Sequence, residues 1–223
     1  LTGSASTNYT LSGGVVSVNI NKANAPVTAN SNTLTYNGAT QSVTGFTATG
    51  LVNGETISVL SGLVESGGSG MNAATYNHSY AVGTYSGNYN LSFNDGSLTI
   101  NQATVSLSSI SKTYDGTTAK GNTTMTITGV NGETLSFSDA TYNTKNVSAN
   151  GSNYLTALTL ADNGSYLASN YQLPTLSLSN AAATINKANA TVTANSSTLT
   201  YNGLTQSVSG FTATGLVNSE TSS

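Results

Sequence analysis

The chain has 223 residues, five lysines with no arginine, eight acidic residues and a formal net charge of −3; only 6% of its residues are charged, against roughly a quarter in ordinary soluble domains. So few, scattered cations exclude the basic patch that nucleic acid requires and the electrostatic grip of a membrane-surface binder. Zero cysteines exclude a disulfide framework, and no run approaches the roughly 20 consecutive apolar residues of a membrane span.

In chain order, residues 1–22 read as the C-terminal strands of a preceding module. Asn8-Tyr9-Thr10-Leu11 leads to Val18-Asn19-Ile20-Asn21-Lys22-Ala23, a signal that returns twice. Residues 23–102 form a complete module, with Thr35-Tyr36-Asn37-Gly38 early and Asn88-Tyr89-Asn90-Leu91 leading to Leu98-Thr99-Ile100 late. Residues 103–187 form a second, related module, with Thr113-Tyr114-Asp115-Gly116 early and Asn170-Tyr171-Gln172-Leu173 leading to Ala183-Thr184-Ile185 late. Residues 188–223 begin a further module of the first type. Residues 21–58 return as 186–223, changed only at Pro26/Thr191, Asn32/Ser197, Ala39/Leu204, Thr44/Ser209, Gly54/Ser219 and Ile57/Ser222. A chain that copies itself is an array, alternating here in units of roughly 80 residues.

Within the units the pattern is strand throughout. Met125 and Ile127 alternate with threonines, as do Leu98 with Ile100 and Leu176 with Leu178, and Leu135 and Phe137 alternate with Thr134, Ser136 and Ser138. Asn53-Gly54, Asp95-Gly96, Asp115-Gly116 and Asn131-Gly132 predict positive-φ turns between strands, and Gly45 predicts a bulge. At most one short helical turn is expected, within residues 60–76. Twelve tyrosines and this alternation argue against disorder. No linker rich in Pro, Gly and Ser separates the units, which predicts stiff joints. Each unit is expected to be a bead of extended backbone with a waist near Ala103, assisted by its neighbours because 80 residues bury only about 60% of their unfolded surface. The initial Leu1, with no signal peptide, and the stop inside a repeat read as a piece of a longer protein.

With these motifs in order, module 23–102 resembles the MBG domain of large bacterial surface exoproteins. The residues that carry this are Thr35-Tyr36-Asn37-Gly38, Gly50-Leu51-Val52-Asn53-Gly54-Glu55-Thr56, Val82-Gly83-Thr84-Tyr85 and the exit from Asn88 to Ile100. Module 103–187 resembles the YDG domain through Lys112-Thr113-Tyr114-Asp115-Gly116-Thr117-Thr118, Lys145-Asn146-Val147 and Ser169-Asn170-Tyr171-Gln172-Leu173. Two departures are visible: Tyr-Asn-Gly stands where many relatives of the first module have Tyr-Gly and an acidic residue, and Ser148 stands where the second family usually has Gly. The resemblance implies a tandem stalk of a filamentous-haemagglutinin-like adhesin, often exported by two-partner secretion, and transfers no catalytic residue.

The candidate sites are few. His78 is the only histidine and is expected on a strand surface; Ser79 beside it points to the opposite face, and no third catalytic partner is identifiable. The tyrosine triplets at Tyr36, Tyr114 and Tyr201 read as turns anchored by a packed ring. Asp95, Asp115, Asp139 and Asp162 are the calcium candidates, too widely spaced for an evident site. Lys112 and Lys145 are weighed as isopeptide donors to an asparagine and expected on the surface. Asn-x-Ser/Thr, as at Asn77, Asn150 and Asn163, is as frequent as this composition gives by chance. Thr-x-Thr at Thr33, Thr126, Thr191 and Thr198 lacks the regular spacing of an ice-binding face.

The sequence therefore predicts an all-β tandem array of small β-modules, Ig-like sandwich or β-grasp-like, forming an elongated rod. No catalytic, cofactor-binding or metal residue is assigned, and no cofactor beyond the calcium considered above. The expected function is a structural stalk segment of an extracellular bacterial adhesin or biofilm-matrix filament, displaying a distal adhesive region. Direct binding of glycan or mucin by the modules is one alternative, and homotypic filament assembly by strand complementation is another. Expected partners are host or matrix glycan or protein through other parts of the parent chain, and homotypic contacts; nucleic acid and membrane insertion are not expected.

Overall fold

The structure is a computed structural model that describes residues 6–10 and 12–221. Its elements are nearly all strands. In the first module these are β1 (Ala23–Ala29), β2 (Asn32–Thr35), β3 (Gln41–Ser42), β4 (Phe46–Ala48), β5 (Leu63–Gly67), β6 (Ser69–Gly70), β7 (Thr75–Val82), β8 (Tyr89–Asn94) and β9 (Gly96–Asn101). The second has β10 (Ala103–Thr104), β11 (Ser106–Thr113), β12 (Thr124–Thr128), β13 (Ser136–Tyr142), β14 (Leu155–Ala161), β15 (Tyr171–Gln172) and β16 (Ala183–Asn186). The last segment has β17 (Thr191–Ala194) and β18 (Phe211–Thr214). Helical content is limited to single 3-10 turns. One lies at Ile57–Leu60, touching the window expected from sequence only at Leu60, and others, not expected, at Ser6–Asn8, Val130–Gly132, Val147–Ala149 and Ala168–Asn170. Turns this short carry no helical periodicity to read.

Each complete module closes by pairing its first strand with its last in parallel. In the first module Ala23 faces Tyr89 and Thr28 faces Asn94, and beyond a kink Asn32 faces Leu98 and Thr35 faces Asn101. In the second, Ala103 faces Tyr171, and Ile110 to Thr113 face Ala183 to Asn186. The outer strands follow the same plan. β4 lies antiparallel to β1, and β12 to β11. On the other side the last strand is followed by an antiparallel pair, β7 with β5 in the first module. In the second, β14 joins through Leu155 N–H to Ala181 O (3.1 Å) and Asn153 O from Ala183 N–H (2.9 Å), with β13 outside it. Two modules with different sequences thus share one strand order.

The kinked strands pass from one small sheet to the other. In the first module β4-β1-β8 packs on β2-β9-β7-β5, with Val27, Phe46 and Leu91 against Leu63 and Tyr80. The sheets face each other as in a sandwich, but the parallel first and last strands are the β-grasp feature, so each fold alternative supplied one element. Asp95-Gly96 marks this kink and is not a positive-φ turn. A Cβ at Gly96 would fall 2.3 Å from the Asn30 carbonyl oxygen, so only glycine lets the kinked strands touch. Gly45, at φ +82°, separates β3 from β4, which pair with different partners.

The buried core corrects the picture of independent beads. One cluster joins Tyr36, Leu98 and Ile100 of the first module to Ala103, Val105, Tyr171 and Ile185 of the second. A separate, smaller cluster holds Ala25, Val27, Leu60 and Tyr89. Apolar packing is therefore continuous through Ala103 and divides at the kink inside the first module. The cause is the one-residue junction: β9 ends at Asn101 and β10 begins at Ala103, too short a distance to keep two cores apart.

Candidate functional site

The three tyrosine triplets fold alike. Asn37 Oδ1 accepts from Ala39 N–H, Asp115 Oδ1 from Thr117 N–H and Asn202 Oδ1 from Leu204 N–H, each at 3.0 Å. The following Gly38, Gly116 and Gly203 sit at φ +77°, +77° and +76°. Short polar side chains that bond two residues onward, followed by a left-handed glycine, make this turn. The turn's purpose lies in where it delivers the tyrosine.

Tyr36 crosses into the second module. Its hydroxyl donates to both carboxylate oxygens of Glu133, at 3.1 and 3.2 Å. Tyr171 donates to the same carboxylate (2.5 Å) and stands edge-on to Tyr36, with ring centroids 5.3 Å apart. Val130 N–H donates to the Tyr171 hydroxyl at 3.2 Å. Glu133 is only 8% exposed; a buried carboxylate is tolerated because two hydroxyls solvate it. Two asparagines complete the joint. Asn131 Nδ2 donates to the Asn37 carbonyl (2.8 Å), and Asn170 takes the Ala73 N–H (2.8 Å) while donating to Asn72 Oδ1 (3.0 Å). Burial first, and then the bond to Glu133, raise the pKa of both Tyr36 and Tyr171.

The second joint repeats the tyrosine–glutamate bond, with the asparagine amide on the carbonyl one residue further along the turn. Tyr114 donates to Glu220, and Asn218 Nδ2 donates to the Gly116 carbonyl at 3.3 Å. Here the bond to Glu220 is the leading cause raising the Tyr114 pKa. The receiving loop is Val130-Asn131-Gly132-Glu133-Thr134 at one joint and Val217-Asn218-Ser219-Glu220-Thr221 at the other. A third copy, Val52-Asn53-Gly54-Glu55-Thr56, receives Tyr89 of its own module: Tyr89 donates to Glu55 and accepts from Val52 N–H at 3.0 Å. In all three loops the asparagine takes positive φ, at +53°, +52° and +54°. The joint was missed in sequence, although Val-Asn-(Gly/Ser)-Glu-Thr occurring once per module was the signal that could have found it.

The other candidates resolve into structure. His78 is fully buried, contrary to the surface position expected for it. Nδ1 lies 2.8 Å from the Asn30 carbonyl and Nε2 lies 2.7 Å from Glu65 Oε1. Tyr76, His78 and Tyr80 share the inward face of β7, whereas Asn77 is exposed. A hydrogen bond from Tyr80, then one from His78, hold the Glu65 carboxyl below its usual range. Lys112 is likewise buried. Nζ meets Asp115 Oδ1 at 2.8 Å and the carbonyls of Thr117 (3.0 Å) and Ala119 (2.8 Å). All three ammonium protons are thereby used, which removes Lys112 as a free nucleophile for an isopeptide bond. Lys145 is exposed.

Asp115 is thus an ion-pair partner. Asp139 Oδ1 accepts from Ala140 N–H, Asp162 Oδ1 from Ala168 N–H, and Asp95 from Asn77. Among the described residues no three His, Cys, Asp or Glu side chains converge as a metal site. Asn150 is engaged on both sides by the backbone of Ile185. No helix of the described residues is long and apolar enough to cross a membrane.

Two family models match the chain. Residues 25–99 match the family model of the MBG domain (YGX type), and residues 96–182 match that of the YDG domain. No curated protein and no solved structure matches the chain. Domains of these two families are typical of extracellular, adhesin-like repeat proteins, and neither family is catalytic.

Proposed function

Since this chain belongs to the MBG and YDG families, carrying one domain of each in tandem, we propose that it is a stalk segment of an extracellular bacterial adhesin or matrix filament, a rod that sets the distance between an anchor and a distal adhesive region. The observation that carries this is the parallel pairing of first and last strands. Parallel neighbours run the same way, so the chain enters a module at one end and leaves at the other. Residues 89–101 alone advance the chain by at most roughly 40 Å, and the next module starts one residue later. The repeated tyrosine–glutamate joint then limits bending between modules. Small-angle scattering of the full chain tests it: an elongated distance distribution is expected, and a compact one overturns the reading.

A further inference from the structure

The clefts beside the two MBG-type loops are copies of each other, and only one is closed by a tyrosine turn. The cleft of about 380 Å³ at the second joint is lined by Lys187, Ala188, Val217 and Glu220, and its opposite wall is Tyr114 and Val147 of the preceding module. The cleft of about 400 Å³ at the first module is lined by the equivalent Lys22, Ala23, Val52 and Glu55. No tyrosine turn from a preceding module stands opposite them among the described residues. Glu55 and Glu220, which hold one tyrosine each, are exposed, whereas Glu133, which holds two, is buried.

We propose that the Val52–Thr56 loop with Tyr89 is a receptor site for the Thr-Tyr-Asp-Gly turn of a YDG-type module placed ahead of Ala23. Three observations fix the occupant. A tyrosine turn fills the copy of this loop at both joints in the molecule. The same pair of contacts recurs at each, a hydroxyl on the glutamate and an asparagine amide on a turn carbonyl. The loop around Asn218, which copies Val52–Thr56, is filled by the YDG-type turn at Tyr114, not by an MBG-type one. A docked tyrosine would give Glu55 the two hydroxyl donors that Glu133 has, and would bury the N–H bond from the solvent-exposed Val52 to Tyr89.

The inference rests on the array reading above. The experiment fuses residues 103–187 directly ahead of Ala23 in place of residues 1–22. The junction Asn186-Lys187-Ala23-Asn24 then reproduces the natural Asn186-Lys187-Ala188-Asn189. Amide exchange at Val52 is expected to slow by roughly tenfold or more relative to the original chain. Tyr114→Phe in the added copy alone, or Glu55→Gln, should return it toward the original rate while leaving the Tyr114–Glu220 joint unchanged. Equal exchange at Val52 in the fusion and the original chain, with the added copy folded by its own amide protection, overturns the proposal. A fusion that remains elongated with Val52 unprotected sinks the receptor site but spares the stalk; a compact fusion sinks the stalk itself.

Discussion

Leu34 and Lys112 stand at the same place, two residues ahead of the turn tyrosine, in modules whose strands pair in one order. In the first module Leu34 packs against the core that crosses the joint, and the turn that follows carries the neutral Asn37. In the second the position is a buried ammonium, and the turn carries Asp115 to meet it. The two changes come as a set. An apolar residue needs no counter-charge and is served by asparagine, whereas a buried lysine requires the carboxylate beside it. The backbone is indifferent to the choice, since both side chains make the same bond to the residue two positions on. The aspartate of the Tyr-Asp-Gly triplet is therefore explained by its lysine, without a ligand.

Exchanging the two solutions breaks this comparison most severely. Lys112→Leu alone is expected to cost roughly 3 kcal/mol, the low end for breaking a buried pair because the Asp115 side chain remains 31% exposed. Lys112→Leu with Asp115→Asn installs the first module's chemistry and should recover most of that loss in urea denaturation. A double variant no more stable than the single one would show that the two positions are not a set. Acid probes the same pair. Burial works to raise the Asp115 pKa, but Lys112 and the Thr117 amide and hydroxyl outweigh it, so the net shift is downward. A carboxylate with a depressed folded pKa stabilises fully above its unfolded value, near 4, and loses that contribution as pH falls through the folded one. The second module should therefore lose stability below about pH 4, and the double variant should lose less.

The joints come next in size. Tyr36→Phe removes one of two donors to a buried carboxylate and is expected to cost about 2 kcal/mol. Tyr201, the same residue of the same turn but 90% exposed, should tolerate Phe with no measurable change. Equal costs would mean that the hydroxyl serves the turn and not the joint. Alkali gives the opposite sign from acid. Tyr36 and Tyr171 have raised folded pKa values, so their contribution is complete below the unfolded value near 10 and is lost as pH climbs beyond it. Glu133→Gln should flatten that alkaline loss, read from the unfolding midpoint between pH 9 and 11.

What was legible in sequence was local. The tyrosine triplets announced their turns because Asn or Asp followed by Gly commonly makes one, although Asp95-Gly96 does not. Alternating threonines announced strands that form at Met125 to Ile127 and at Leu98 to Ile100 but not at Leu176 to Leu178. The joint was not legible, since Tyr36 and Glu133 are 97 residues apart: the turn announces a packed tyrosine ring but not the carboxylate of the next module that it meets. His78 and Lys112 were misplaced on the surface for a related reason: composition places His and Lys outside, and only the fold shows the carboxylates and carbonyls that satisfy them inside. The continuous core at Ala103 was hidden too, because alternation reports which face is buried but not against which module.

The smallest effect separates the turn from its docking. Gly38 and Gly203 have the same backbone conformation, φ +77° and +76°, so alanine at either should cost about 1 kcal/mol in local strain. Their surroundings differ. A Cβ at Gly38 would lie 2.9 Å from Asn131 Nδ2 and 3.0 Å from Glu133 Oε1, whereas nothing lies within 4 Å at Gly203. Gly38→Ala should therefore also push the turn off its receiving loop, exposing the Val130 N–H that Tyr171 covers. Faster amide exchange at Val130 in Gly38→Ala, with none in Gly203→Ala, is the expected pattern. If both variants left Val130 equally protected, the close approach at Gly38 would be slack, and the joint would owe its position to the Tyr36 ring and hydroxyl alone.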